Sequence, residues 1–265
     1  MSLKKLISIT INCICFTVSA HSDLFPTNES DIPNHVKQRH INVESSLLFG
    51  HNRSSIDYKI GHVTGPVNPF FSPGFQIKLT TSQDRSCHEQ MIQWTHLTTD
   101  AQSISTDGNK WHRASQYNLF DLRSEYHMHH SDRMTISPSM GLKYLRYEEN
   151  YYAHVEGIKK PIAQIWMPGI GPTLGIAIKK ELPMHFYFVQ SGTTSLLINY
   201  EDISEEQVET NIMPYFEISS RLGWSHQCSR SKNIDLYIGW EAHSLLNMRG
   251  SVNFHGLKTG LSLSF

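Results

Sequence analysis

The stretch His255–Phe265, HGLKTGLSLSF, alternates without a break. Leu257, Thr259, Leu261, Leu263 and Phe265 fall on one face of an extended strand, and Lys258, Gly260, Ser262 and Ser264 on the other, because strand side chains alternate with period two. The apolar face needs a cover, which is either a second layer of protein, as in a secreted β-sandwich, or lipid. The segments upstream decide between them.

Ile234, Leu236, Ile238, Trp240 and Ala242 alternate with Asp235, Tyr237, Gly239, Glu241 and His243. Before them, Ile212, Pro214, Phe216, Ile218, Ser220, Leu222 and Trp224 alternate with Met213, Tyr215, Glu217, Ser219, Arg221, Gly223 and Ser225. Both runs exceed the ~5–6 residues of a usual globular strand and match the ~9–11 that a tilted strand needs to cross a bilayer. Ten such segments are expected, at 54–63, 73–82, 88–98, 114–127, 133–147, 162–178, 184–199, 210–225, 233–245 and 252–265. Short connections (SQDRS, HHSDR, KKELP and HQCSRSK) alternate with longer ones near 64–72, 99–113, 148–161 and 200–209. Short turns on one rim and long loops on the other are the build of outer-membrane barrels. The pattern therefore predicts an all-β fold, a transmembrane antiparallel β-barrel of about ten strands, within a range of roughly 8–12. No helical apolar period competes with it. Pro138, Pro172 and Pro214 blur the strand limits, since proline removes a ladder donor.

Lipid then covers the last strand's apolar face, and pairing of that strand with the first satisfies its backbone, which hydrocarbon cannot do. Leu261, Leu263 and Phe265 read as the assembly signal of an outer-membrane protein. The expected partners are outer-membrane lipid and, through this strand, the barrel-assembly machinery. Five Trp and eleven Tyr, with Trp111, Trp166 and Trp224 near strand ends, suit interfacial girdles.

The other end of the chain agrees. Lys4 and Lys5, an apolar run from Leu6 to Val18 and the small residues Ser19 and Ala20 follow the grammar of a secretory signal peptide, expected over 1–20. The run is too short and too interrupted to span a bilayer, which takes about 20 apolar residues. The expected route is thus secretion across the inner membrane of a Gram-negative bacterium to its outer membrane. Residues 21–53 lack a sustained period and read as a periplasmic arm or linker, with a short strand possible at Ser46–Phe49; the barrel is expected over 54–265. Beyond the signal only Cys87 and Cys228 remain, which excludes a disulfide-stapled scaffold and leaves one bridge or two free thiols. A net charge of −1 argues against nucleic acid, which calls for a basic stripe.

Several blocks, in order and spacing, resemble the chlamydial and Legionella-type major outer membrane protein family. They are SPGFQIKL at 72–79, MIQWTHLTT at 91–99, WHRASQYNLFDLR at 111–123, ISPSMGLKY at 136–144, GIGPTLGIAI at 169–178 and SLLINY at 195–200. The resemblance implies a single β-barrel with porin-like activity. Where the family usually carries a glycine and a tryptophan before the third strand, this chain has Cys87 and His88.

The inward positions hold mixed charge: Asp121, Arg123, Glu125, Lys143, Glu217, Arg221, Asp235 and Glu241. In a wet lumen these candidate pore-lining residues would set ion preference. In a closed one they would pair into salt bridges. The expected function is a porin-like pore for small solutes or ions; the alternative is a closed structural or surface-interaction barrel, and an outer-membrane hydrolase comes third. No Gly-x-Ser-x-Gly elbow appears, so no enzyme, catalytic residue or cofactor is expected. Among sixteen histidines, His127, His129 and His130 cluster beside Asp132. Neighbours on a strand point apart, so at most His127 and His129 share a face, and the cluster reads as a solvated turn with no metal.

Overall fold

The computed structural model describes residues 39–265 apart from 55–71, 84–86, 105–109, 132, 156–157, 205–206, 230–231 and 248–249. Its strands are β1 (Arg39–Ser54), β2 (Ser72–Gln83), β3 (His88–Ile104), β4 (Lys110–Tyr126), β5 (Met128–Ser131) and β6 (Met134–Val155). They continue as β7 (Ile158–Glu181), β8 (Phe186–Ser204), β9 (Gln207–Ser229), β10 (Lys232–Asn247) and β11 (Gly250–Ser264). β4 pairs directly with β6, and β5 extends β4 along the same partner in the same register, Glu125 opposite Ser139 and Met128 opposite Ile136. The eleven segments therefore make ten staves.

Each stave pairs antiparallel with its neighbour in sequence, and β1 pairs with β11 to close the circle. At the seam Ile41 and Phe265 exchange both backbone bonds, N to O at 3.1 and 2.9 Å. The register runs from Asn42 opposite Ser264 to Ser54 opposite Val252.

The first stave lies upstream of where alternation suggests it. Of the expected strand at 54–63 only Ser54 is described, and β1 occupies what reads as linker, with Ser46–Phe49 at its centre. Its inward set mixes Glu44 and Ser46 with Leu48 and Gly50, so hydropathy does not alternate along it. The expected signal peptide, and the arm up to residue 38, lie outside the described residues.

A second correction concerns the long connections. β6 continues to Val155 and β7 starts at Ile158, while β8 and β9 meet at Ser204 and Gln207, so two expected loops are tall hairpins. Polar residues such as Glu148, Asn150 and Gln164 alternate less cleanly than lipid-facing ones; Gln164 donates to Glu148 across this hairpin and Asn150 donates to it along β6. The prolines are accommodated inside strands. At Pro172 the β7–β8 pairing lapses between Ile170–Ile198 and Thr173–Ser195. The adjacent Gly171 is required there, because a Cβ would lie 1.8 Å from the Leu196 carbonyl oxygen.

Burial is inverted relative to a water-soluble protein. Leu174 is 59% exposed and Ile238 52%, whereas Lys143 and Glu241 are fully enclosed. Only lipid makes an outer face of this kind favourable, which removes the secreted sandwich. Four neighbouring staves carry an aromatic ladder on that face, Phe75 edge-on to Trp94, Trp94 stacked on Phe120 at 5.8 Å, and Phe120 beside Tyr144.

Two variants test this architecture. Ile238→Arg, midway along the outer face of β10, should destabilise the barrel by about 2–4 kcal/mol, read from urea unfolding in lipid vesicles. Leu261→Asp combined with Leu263→Asp charges the seam and should abolish the difference in gel migration between unboiled and boiled protein.

Candidate functional site

All eight sequence-predicted charged residues fall on the inner face of their strands, and the lumen they enter is layered. At the rim carrying Arg39 and Phe265 a cavity of about 100 Å3 opens between Glu44, Lys78, Glu125, Ser191 and Arg221. Arg221 donates through one nitrogen to both Glu44 oxygens at 3.1 and 3.0 Å, and the Tyr237 hydroxyl donates to Glu44 at 2.7 Å. Asp235 stays near this rim, half-buried, and accepts from Asn233 at 3.1 Å.

Deeper in, five of the predicted residues enter two linked ion clusters. Lys143 lies 3.3 Å from Asp121 and 3.0 Å from Glu217, and Arg123 lies 3.1 Å from Asp121. Glu241 holds Lys258 at 2.8 Å and His243 Nε2 at 2.6 Å. Lys258 also donates to Gln76. The Tyr215 hydroxyl joins the clusters, bonded to His243 Nδ1 on one side and donating to Glu217 at 3.3 Å on the other. Tyr117 donates to Tyr215 at 2.9 Å, and the Lys143 ammonium sits 4.3 Å above the Tyr215 ring. Each enclosed charge here has an opposite charge in reach, the condition under which burial is tolerated.

Above this layer the lumen is apolar. Leu48, Leu97, Leu119, Leu145 and Met167, with Leu197, Met213, Leu245 and Phe254, form one buried cluster to which nine staves contribute. The tenth, β2, offers Gly74 opposite Leu97, and the Leu97 side chain occupies the space a Cβ would take, 2.2 Å away. A void of about 10 Å3 remains between Leu97, Tyr117, His243 and Phe254, room for no more than about one water. Beyond the plug a second ion pair, Arg113–Glu149 at 2.7 Å, is completed by the Tyr147 hydroxyl at 2.9 Å.

Glu125 takes another direction. Its cross-strand partner is Glu89, and His127 Nε2 lies 3.0 Å from Glu89 while its Nδ1 lies 2.7 Å from Ser137 Oγ. The solvated-turn reading therefore describes His129 and His130, which are exposed, but not His127. Cys87 and Cys228 are both free and exposed.

Sequence reasoning missed Glu44, Gln76, Lys258, His243 and the two buried tyrosines as members of the charged layer. Strand parity carries the signal for Lys258 and His243: His243 shares the inner face of β10 with Asp235 and Glu241, and Lys258 lies on the face of β11 opposite the outward Leu257, Leu261 and Leu263. Glu44 was hidden by the weak alternation of β1.

Comparison with protein families matches residues 45–262 to the family described as Legionella pneumophila major outer membrane protein precursor. Comparison with curated proteins finds no match. Among solved structures the chain is similar to the outer membrane protease OmpT from Escherichia coli, at 11% identity and TM-score 0.42 over 90% of this chain and 99% of that one. It is similar to the translocator domain of the autotransporter NalP from Neisseria meningitidis, at 7% identity and TM-score 0.44 over 97% and 96%. An outer membrane channel from Pseudomonas putida F1 aligns at 8% identity and TM-score 0.39 over 91% and 99%. The family match spans most of the chain and agrees with a closed barrel whose outer face is apolar: this protein is an outer-membrane β-barrel belonging to the Legionella major outer membrane protein family.

Proposed function

We propose that the protein is a closed outer-membrane barrel, structural or interacting through its tall outer hairpins, whose lumen does not conduct at rest. The apolar plug carries this reading. Hydrated ions need a continuous water path, and a layer in which nine staves supply buried side chains and the tenth a filled glycine leaves none. The chain reaches its place by secretion across the inner membrane, and the assembly machinery reads its last strand.

A second reading, a porin-like pore that opens when the plug moves, is favoured by one observation. The cavity at the terminal rim reaches inward as far as Glu217 and Glu241, so a charged vestibule already leads to the plug.

Single-channel recording in planar bilayers tests both. The parent protein should give no steps, and steps in the parent would overturn the closed reading. Leu119→Ser combined with Met213→Ser thins the plug and should introduce conductance. If the parent conducts, replacing Glu217, Asp235 and Glu241 together with Gln should shift ion preference toward anions, as the second reading requires.

A further inference from the structure

We propose that Glu89, Glu125 and His127 form a binding site for a divalent transition cation of the zinc type on the inner wall at the terminal rim. One ligand atom from each side chain comes within 4.8 Å of the other two. A Zn2+ ion binds imidazole nitrogen and carboxylate oxygen at about 2.0–2.2 Å, so its ligand atoms stand about 3.3–3.5 Å apart, and small side-chain rotations close the set. Three protein ligands leave a coordination position open for water. Access is present, since the His127 and Glu89 side chains are 29% and 22% exposed.

Three independent features point to a cation. Glu89 and Glu125 stand directly opposite each other in the β3–β4 ladder, on one face. Like charges in that arrangement are destabilising unless something positive lies between them. A divalent ion held by the two carboxylates and the neutral imidazole Nε2 supplies that charge and makes a neutral complex. Second, His127 is anchored from behind. Its Nδ1 faces Ser137 Oγ at 2.7 Å and its backbone N–H donates to the Cys87 carbonyl at 2.7 Å, the outer support that fixes ring orientation in metal-binding histidines. Third, the site's ligands come from two segments held in register by the ladder, so their spacing is rigid. Lys78 on β2 and Arg123 on β4 are the neighbouring cations that face this space. Arg123 is engaged by Asp121 at 3.1 Å, and Lys78, opposite Glu44 and Gln93 in the ladder, attracts Glu89. The imidazole selects zinc-type ions over magnesium and calcium, which favour all-oxygen sites.

The site stands whether or not the lumen conducts. Refolded full-length protein in detergent, titrated with Zn2+ against a chromogenic chelator, should bind one ion per chain, and excess Mg2+ or Ca2+ should not displace it. Glu89→Gln and Glu125→Gln should each abolish that binding, with folding checked by unboiled gel migration. Ser137→Ala should weaken it about 10–100-fold, the usual effect of losing an outer partner. His129→Ala combined with His130→Ala should leave it unchanged. Absence of binding by the parent overturns the proposal, and so does parental affinity in both Gln variants, or loss of binding in the His129/His130 variant alone.

Discussion

The structure depends on closure of the β1–β11 seam. Each unpaired amide in hydrocarbon costs several kcal/mol, so a sheet in a bilayer survives only without an edge. The reciprocal pair of backbone hydrogen bonds between Ile41 and Phe265 begins the seam, and the ladder behind it runs to Ser54 and Val252. Everything inside the barrel follows from it. Moving β1 by one residue would turn Glu44 outward into lipid and leave Arg221 and Tyr237 without their acceptor. Register and lumen chemistry are therefore one constraint, and the charged layer reports on the seam that encloses it.

A ten-stave barrel encloses limited space, and this chain fills it with two kinds of material that serve each other. Lys143 and Glu241 are fully enclosed, and leaving such charges unpaired costs several kcal/mol, so the ion clusters are held together by the penalty for breaking them as much as by attraction. The apolar plug keeps water from one side of these clusters. Tyr117 and Tyr215 bridge the two layers, since each ring packs in the plug while its hydroxyl bonds into the charged network.

Strand parity made much of this legible. Period two assigned the correct face to all eight charged positions, because one side of every stave meets lipid. The number of staves was also readable, as was the apolar face of Leu257, Leu261 and Leu263. Parity is silent about which inward residues meet. Arg221 and Glu44 stand 177 positions apart and Lys258 and Gln76 stand 182 apart, distances that only closure bridges. The first stave escaped for a related reason: β1 joins the sheet through its partners β2 and β11, not through its own alternation. The hairpin tips escaped because strands that rise beyond the lipid have no apolar face to advertise them.

The plug explains why charge alone is a poor guide to what this lumen does. Mixed acids and bases on inward faces suit a selective pore and a salt-bridged interior equally well, and nothing in Asp121, Lys143 or Glu217 distinguishes the two. The distinction rests on residues that look unremarkable in sequence: Leu48, Leu97, Leu145 and Met213, inward-facing on strands where lipid would have taken an apolar side chain on the other face. An apolar residue at an inward position is out of place in a wet channel. Several at one level, with Gly74 left open for Leu97, make a continuous apolar layer. On the closed reading proposed above, conduction requires the plug to move, and loosening the ion clusters beneath it would not by itself open a path.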